Sequence, residues 1–362
     1  MNRTTRLTSL FAAMGLAAAG TAAATTSASA VASTRTVVAD HLAGPLTAAV
    51  TPNGTAYISE NFGGKLDRKP PHKPLRTVFT APKGVEVGGV SVEGGGPVTF
   101  TLTKEGKGMT SQHSRVMHLA HGKATPFAYT GAFERNKNPD GDVTYGFRHL
   151  NKSCLSKIPK QVPARYTGIV DTHPYSTATP GGTTYVGDAA GNDILRINSA
   201  GHISLVTVLP PVPLRVTAHR AKVNHLPACA VGHRYWFEPV PTDVEVSPSG
   251  ELVVTALTGA TEAPGFGAQS RVYRVEPVGG ATTLVAKGLA GAVGVAIAAD
   301  GNYLVSQLFG NEVSRVDASS GAVSHYRTVN QPAAVERAGG NVYVTARVLA
   351  KTPAGQLLRF GG

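Results

Sequence analysis

The sequence predicts an all-β fold, a six-bladed β-propeller built from four-stranded antiparallel blades. A unit made of an apolar alternation, a glycine turn and a second alternation recurs six times, for example over 49–59, 244–254 and 295–305. Strand-length alternation without a competing helical period is typical of β-strands. Recurrence of one such unit along the chain is typical of propellers.

Each unit divides into four strands, A to D, taken in chain order. Strands A and B should meet at tight turns whose residues tolerate positive φ. These turns are Asn53-Gly54, Gly95-Gly96, Gly181-Gly182, Ser249-Gly250, Asp300-Gly301 and Gly339-Gly340. Strand C follows at 65–68, 114–119, 194–197, 272–275, 313–316 and 357–360, and strand D at 77–79, 126–129, 203–206, 283–286 and 323–326.

The sixth unit has no strand D of its own. Residues 35–44 closely match 282–291, which are a strand D and its exit. The N-terminal segment is therefore predicted to close the last blade. Such closure removes an exposed sheet edge, which would otherwise pair with other chains.

The first 30 residues have the pattern of a signal peptide. Arg3 and Arg6 precede an apolar run over 7–24, and Ala28-Ser29-Ala30 has the small-x-small form that signal peptidase cuts. A membrane anchor needs about 20 strongly apolar residues, and this run is broken by Thr and Ser. We expect cleavage near Ala30, secretion to the extracellular space, no transmembrane segment, and one propeller domain over 31–362.

Two long loops account for the length that six blades do not use. Six blades of roughly 40 residues need about 240 residues, so the loops are predicted at 131–170 and 210–240, on the same face. Cys154 lies in the first and Cys229 in the second, and they are the only cysteines. In an oxidising compartment a single disulfide is the expected pairing, with two buried thiols as the alternative.

The chain is basic, with a formal charge of +12, or 12 − 2 = +10 without Arg3 and Arg6. Two basic clusters lie in segments that resemble loops: Lys65, Arg68, Lys69, Lys73 and Arg76 in one, and Arg135, Lys137, Arg148, Lys152, Lys157, Lys160 and Arg165 in the other. They favour either solubility alone or attraction to an anionic cell-surface polymer. No compact basic and aromatic motif indicates nucleic-acid binding, and we expect a monomer.

Several stretches together resemble one known family. They are DTHPY at 171–175 with GDAAGNDILRI at 187–197, VPTDV at 240–244, and LTG at 257–259 with PGF at 264–266 and RVYRV at 271–275. With these stretches the chain resembles the ScyD/ScyE family of secreted, NHL-like six-bladed propellers, and NPDG at 138–141 is similar to a stretch of that family. The resemblance implies the propeller and export, but no established reaction. His173 stands where the family commonly has Asn.

The usual ligand site of a propeller is one mouth of its channel, where the D-to-A and B-to-C connections meet. The polar residues predicted there are Glu60, Asn61, Glu86, Asp171, His173, Asp188, Asn192, Asp193, Asp243, Glu262, Gln307, Asn311 and Gln331. Converging carboxylates repel one another unless a cation or a proton relieves them. A Ca²⁺ ion held by Asp171, Asp188 and Asp243 is one hypothesis; the other is that these aspartates cap turns through backbone N–H groups.

No nucleophile elbow, zinc-protease helix, Walker loop or dinucleotide fingerprint occurs in a suitable context. The first hypothesis is a non-catalytic binding or interaction scaffold, which presents its loop-capped mouth to an extracellular protein, a small ligand or an anionic cell-surface polymer. The alternative is a metal-assisted hydrolase or lyase that uses the same mouth, with His173 as general base. No cofactor other than Ca²⁺ is suggested.

Overall fold

The computed structural model describes residues 35–104, 106, 113–260 and 265–361. The predicted signal peptide and Glu262 lie outside these ranges. The described residues form seven four-stranded antiparallel sheets. None of the helices in these ranges is long and apolar enough to cross a membrane.

Six of the sheets follow the predicted units, and we number them sheets 1 to 6. The first strand of the chain, β1 (Thr36–Leu42), belongs to sheet 6. Sheet 1 contains β2 (Ala48–Val50), β3 (Ala56–Glu60), β4 (Lys65–Lys69) and β5 (Arg76–Thr80). Sheet 2 contains β6 (Val85–Val92), β7 (Val98–Lys104), β8 (Arg115–Ala120) and β9 (Lys123–Ala128).

A further sheet, the cap sheet, comes from the two long insertions: β10 (Thr144–Phe147), β11 (Arg165–Thr167), β16 (Val212–Arg215) and β17 (Arg234–Phe237). Sheet 3 contains β12 (Pro174–Ala178), β13 (Thr184–Asp188), β14 (Asp193–Ile197) and β15 (Ile203–Val208). Sheet 4 contains β18 (Pro241–Val246), β19 (Leu252–Ala256), β20 (Ser270–Val275) and β21 (Thr282–Leu289).

Sheet 5 contains β22 (Ala292–Ile297), β23 (Tyr303–Gln307), β24 (Glu312–Val316) and β25 (Val323–Thr328). Sheet 6 contains β26 (Val335–Ala338), β27 (Asn341–Ala346), β28 (Gly355–Gly361) and β1. In sheets 1 to 6 each predicted glycine turn joins the first two strands, which confirms those turns. Strand β1 pairs antiparallel with β28, with Thr36 opposite Arg359 and Leu42 opposite Gly355, so the N-terminal segment fills the last sheet edge as predicted.

The first strands of sheets 1 to 6 face a common cavity, and we call them the inner strands. Strand β2 contacts β6 and β26, β12 contacts β6 and β18, and β22 contacts β18 and β26. Residues at or next to all six inner strands line one narrow axial cavity. Gly89 allows β6 and β12 to approach closely, because a Cβ at this position would lie only 2.6 Å from the Cα of Ser176 on β12.

The insertions differ from the long loops that the sequence predicts. Besides the cap sheet they contain α1 (Thr130–Lys137), α2 (Lys152–Leu155), α3 (Ala218–Val223) and a 3-10 turn (Ala228–Ala230). The cap strands pair in the order β11-β10-β17-β16, so each insertion supplies one half of the sheet. Two short strands are marginal alone. Local sequence gives no clear strand pattern here, because the cap strands have only 3 or 4 residues and the central β10–β17 pairing joins segments far apart in the chain.

The cap has its own core and a covalent link. Its buried side chains include Phe147, Ile158, Leu214, Tyr235 and Phe237. The predicted disulfide between Cys154 and Cys229 is confirmed. Two backbone-directed hydrogen bonds attach the cap to the β19–β20 connection of sheet 4: Gly259 N to Glu238 O at 3.1 Å, and Arg220 Nε to Gly265 O at 3.1 Å.

Candidate functional site

The mouth of the channel is built from repeated turns. At the end of the second strand in sheets 1, 3 and 5, a side chain accepts a hydrogen bond from the backbone N–H that leads into the inner strand of the same sheet. These bonds run from Ala43 N to Glu60 Oε1 at 3.0 Å, from His173 N to Asp188 Oδ1 at 2.6 Å, and from Ala290 N to Gln307 Oε1 at 2.5 Å. Turn capping therefore occupies one oxygen of each of these three predicted site residues.

A half-buried ion pair links sheets 2 and 3 at this mouth. His173 Nε2 lies 3.1 Å from Glu86 Oε2, and the two side chains are 18% and 17% exposed. Asn61 Nδ2 donates to the other oxygen of Glu86 at 3.0 Å. Burial acts to lower the pKa of His173, but the charge and hydrogen bond of Glu86, with the charges of Asp188 and Asp171, raise it to about 9. His173 is therefore a cation at neutral pH.

The turn between β13 and β14 differs from its counterparts in the charges it brings together. Asp188 stands directly opposite Asp193, both buried. The equivalent positions hold Glu60 and Lys65 in sheet 1, whose side chains lie 3.7 Å apart, and Gln307 and Glu312 in sheet 5, which hydrogen-bond at 2.7 Å. Sheet 3 alone among these three places two acids across the hairpin. Like charges directly opposite destabilise a sheet.

Two acids from the first insertion complete a buried cluster around this hairpin. They are Glu134 on α1 and Asp140 in the turn that follows, 3% and 1% exposed. Asp140 Oδ2 accepts hydrogen bonds from Asn192 Nδ2 at 2.9 Å and Tyr145 Oη at 3.0 Å. We call Glu134, Asp140, Asp188, Asn192 and Asp193 the acidic cluster. It lies where the cap meets sheet 3.

Burial raises the pKa of every acid in this cluster, and the charges of neighbouring acids add to the shifts of Glu134, Asp140 and Asp193. Burial first, then the charges of Asp188 and Asp140, raise the pKa of Glu134 to about 8. Burial raises that of Asp140 to about 6, although hydrogen bonds from Asn192 and Tyr145 oppose the shift. Burial and the charges of Asp188, Glu134 and Asp140 raise the pKa of Asp193 well above its usual value.

Of these acids, Asp188 accepts the most hydrogen bonds from protein groups. Its carboxylate accepts hydrogen bonds from Thr172 Oγ1 and from the backbone N–H groups of His173, Ala190 and Gly191. Burial nevertheless raises its pKa. Asp171 lies beside it, and its backbone N–H donates to Glu134. The mouth thus brings together Asn61, Glu86, Asp171, His173, Asp188, Asn192 and Asp193 of the predicted set.

The remaining predicted residues are not part of this group: Glu60 and Gln307 cap the equivalent turns of sheets 1 and 5 around the mouth, and the others are described next. Asp243 lines the axial cavity with Glu245 and Glu336, and its oxygens accept from Val244 N at 2.9 Å and Val295 N at 2.8 Å. Burial raises the pKa of Asp243 to about 7. Gln307, Asn311 and Gln331 form a separate group at sheets 5 and 6, where Gln331 N donates to Asn311 Oδ1 at 2.9 Å.

An apolar belt packs beside the mouth and the axial cavity, and two of its members, Leu46 and Val293, line the cavity. It is a contiguous cluster of buried side chains from five sheets: Leu46, Tyr175, Ala189, Val240, Leu257, Val293, Leu308, Ala333 and Val348. Asp243 lines the axial cavity with Glu245 and Glu336, whereas Asp188 is not part of that lining. In the described ranges, no group of three or more His, Cys, Asp or Glu is already arranged to hold a metal ion.

Sequence reasoning missed Glu134, Asp140, Glu245 and Glu336. The NPDG stretch contains Asp140, but it pointed to a family and not to a site. Glu245 follows Asp243 by two residues and so shares its face of β18. That spacing was a usable signal. Glu134 gave none, because its helix is recognisable only once the cap is assembled.

Comparison with protein-family models and with curated proteins gave no match. Solved structures do resemble the chain. The PQQ-bound aldose sugar dehydrogenase from Streptomyces coelicolor has a TM-score of 0.55 at 12% identity, covering 92% of this chain and 99% of that one. A luciferin-regenerating enzyme has a TM-score of 0.56 at 10% identity, with 91% and 95% covered.

A catalytically inactive variant of virginiamycin B lyase from Staphylococcus aureus, with quinupristin, has a TM-score of 0.50 at 14% identity, with 91% and 98% covered. The neighbours are β-propeller proteins. At these identities the likeness concerns the fold alone. The chain therefore has a β-propeller fold, made of antiparallel four-stranded sheets and carrying one disulfide.

Proposed function

We propose that the protein is a secreted, six-bladed propeller related to the ScyD/ScyE family, and that it acts as a non-catalytic scaffold. Its binding surface is the outer face of the cap sheet, and its partner is an anionic cell-surface polymer. The ring of six inner strands supports a count of six blades, because the cap sheet contributes no residue to the lining of the cavity. A disulfide supports export, since such bonds persist in oxidising compartments.

The observation that carries the proposal is the outer face of the cap sheet. Side chains alternate along a strand, so the buried Tyr235 and Phe237 of β17 point into the cap and Arg234 and Trp236 point outward. Arg215 of β16 stands opposite Arg234. The guanidinium of Arg148 lies 4.0 Å from the centre of the Trp236 ring. Trp236, the one tryptophan of the chain, therefore shares the outer face with Arg234 and Arg215 and contacts Arg148.

Charge is strongly segregated across the cap. Nine Lys and Arg side chains of the two insertions are exposed: Arg135, Lys137, Lys152, Lys157, Lys160, Arg165, Arg215, Lys222 and Arg234. Asp142 is the one exposed acid there, since Glu134 and Asp140 are buried and Glu238 is half-buried. A surface of one sign attracts a polymer of the other and steers its approach. Arginine also suits carboxylate and sulfate geometry.

The mouth supports catalysis less well than the cap supports binding. A general base must be neutral to accept a proton, whereas His173 is held as a cation by Glu86. Asp188 is engaged by four donors. These observations favour the scaffold over the hydrolase or lyase.

The test is binding to immobilised polysaccharides by the disulfide-bonded protein. We expect retention on alginate or heparin, which are polyanionic, no retention on neutral dextran, and release as salt screens the charges. Replacing both arginines of the cap pair, R215Q with R234Q, should weaken binding roughly 3- to 30-fold, as expected for two exposed ionic contacts.

A matched control removes the same charge from another sheet. Arg68 and Arg76 are also an exposed cross-strand pair, on β4 and β5. R68Q with R76Q should leave binding within about twofold. Equal loss in both double variants would show that net charge alone governs binding and would overturn the cap proposal. Stronger retention on duplex DNA than on either polysaccharide would also contradict it.

A further inference from the structure

We infer that the acidic cluster is a site for a hard divalent cation of the Ca²⁺ type, which would tie the cap to sheet 3. Glu134 and Asp140 belong to the first insertion, whereas Asp188, Asn192 and Asp193 belong to the β13–β14 hairpin. Oxygens of both parts would therefore ligate one ion. This inference is independent of polymer binding, which concerns the opposite face of the cap.

The first support is the departure of sheet 3 from the repeat. The hairpin position that Lys65 fills in sheet 1, opposite Glu60, is filled by Asp193 in sheet 3, opposite Asp188. A Cβ placed on Gly191 would lie 3.3 Å from Asp193 Oδ2 and 3.5 Å from Asp188 Cγ, so both carboxylates border the same point. The charge that Lys65 supplies in sheet 1 has no counterpart across this hairpin.

The second support is a set of buried oxygens without hydrogen bonds. Asp193 is 1% exposed, and neither of its carboxylate oxygens has a hydrogen-bond partner. Glu134 Oε1, Asp140 Oδ1 and the amide oxygen Asn192 Oδ1 are likewise buried and without partners. Buried polar atoms are normally satisfied. The amide oxygen is an independent indication, because repulsion between acids does not explain it, and Asn192 Nδ2 already bonds Asp140.

The donor set fits the chemistry of Ca²⁺. That ion takes 6 to 8 oxygen ligands, from carboxylates, amide carbonyls and water, in flexible geometry, and about 2.4 Å is a typical distance. The side chains are not yet gathered as they would be around an ion, so Asp193 and Glu134 must turn inward. Asp193 can do so without breaking a hydrogen bond. The nearby cation His173 is already paired with Glu86.

The competing explanation is that the acids share protons and bind no ion. Calorimetric titration of chelator-treated full-length protein with CaCl₂ separates the two. We expect saturable binding of one ion per chain with a dissociation constant of about 10⁻⁷ to 10⁻⁴ M, and a melting temperature that rises with Ca²⁺. Absence of saturable binding up to about 10⁻³ M overturns the site, whatever the protein's stability.

Tb³⁺ gives a local readout, because it replaces Ca²⁺ and its emission is sensitised by a nearby phenol. Tyr145 Oη lies 3.0 Å from Asp140 Oδ2. Tb³⁺ should therefore emit on excitation of tyrosine, Ca²⁺ should displace it, and Y145F should emit less while still binding Ca²⁺ by calorimetry. Emission that is equal in Y145F would place the bound ion elsewhere and overturn the assignment.

The decisive variant is D193N, which keeps the shape and removes the unpartnered carboxylate. We expect at least a tenfold loss of Ca²⁺ affinity, with a higher melting temperature than wild type in chelator because the like-charge pair is gone. The matched control is E312Q at the equivalent hairpin position of sheet 5, which should bind Ca²⁺ as wild type does. Unchanged affinity in D193N refutes the site.

Discussion

Removal of the Cys154–Cys229 disulfide should unfold the cap separately from the propeller. The bond joins the two insertions, which otherwise meet through the cap's apolar core and the short β10–β17 ladder, where Gly146 faces Trp236 and Phe147 faces Tyr235. Two side-chain contacts add to these: Arg148 on the Trp236 ring, and a hydrogen bond from Tyr235 Oη to Pro163 O. Each insertion alone supplies only two short strands. The double substitution C154A with C229A therefore removes the strongest constraint that holds the halves of the cap together.

The magnitude follows from the length of chain that the bond closes. The two cysteines are 75 residues apart, and closing a loop of that length restricts the unfolded chain by about 4.5 kcal/mol at 25 °C. This is an upper value for the cap, because sheet 3 lies within the loop and keeps the insertions near each other when the cap alone opens. With a urea dependence of about 2 kcal/mol/M, the cap midpoint should fall by up to about 2 M.

The single tryptophan makes the assay specific. Trp236 is the only tryptophan of the chain and lies on β17 of the cap, so its fluorescence reports on the cap, whereas far-ultraviolet circular dichroism reports mainly on sheets 1 to 6. In the double variant the fluorescence transition should precede the dichroism transition. Coincident transitions at the wild-type midpoint would refute the reasoning, because they would show that cap and propeller unfold as one unit without the bond.

Three further predictions concern stability. Since the pKa of His173 is raised to about 9, its ion pair with Glu86 should stabilise the fold fully below about pH 6.5, and this stabilisation should be lost as pH rises through about 9. The free energy of unfolding, measured by urea titration at each pH, should therefore fall by at most about 3 kcal/mol in wild type. H173Q should not show this fall. Deleting β1 should lower the free energy of unfolding by about 3 kcal/mol or more, since Leu42 is fully buried. It should also expose the edge of β28 and so cause aggregation, which light scattering would detect. An unchanged melting temperature would contradict this prediction. G89A should cost about 1 to 3 kcal/mol by forcing β6 away from β12, whereas G94A, with open space around it, should be near neutral in the same urea series.

The strands of sheets 1 to 6 were predictable because their signals are local. Each predicted turn, such as Asn53-Gly54, lies between two alternating runs, and period-2 patterning with glycine is enough to specify a hairpin. The closing role of β1 was predictable too, because its sequence repeats that of β21. The cap was not predictable. Strands β10 and β17 are separated in the chain by the whole of sheet 3, and neither segment shows an alternation of polar and apolar residues of its own.

The site was only partly predictable for a related reason. Repeat position identified Asp188 and Asp193 as mouth residues, and the ends of inner strands identified Glu86 and His173. Sequence could not show that Asp188 and Asp193 are a buried, directly opposed pair. Their pairing depends on the register of the β13–β14 hairpin, and their burial depends on the cap that covers it. Nor could it show that His173 is committed to Glu86, since these residues lie in different sheets.

The features that distinguish this propeller lie where its repeat is interrupted. Both insertions flank sheet 3, and this sheet also carries the acid pair that its counterparts in sheets 1 and 5 avoid. An uncovered Asp193 would be hydrated and its repulsion of Asp188 screened by water. Beneath the cap it is buried, and the repulsion becomes a cost that the fold must offset. The cap and the acid pair therefore have to be explained together: either an ion bound between them stabilises the covered state, or D193N will be the more stable protein in every buffer, with and without Ca²⁺.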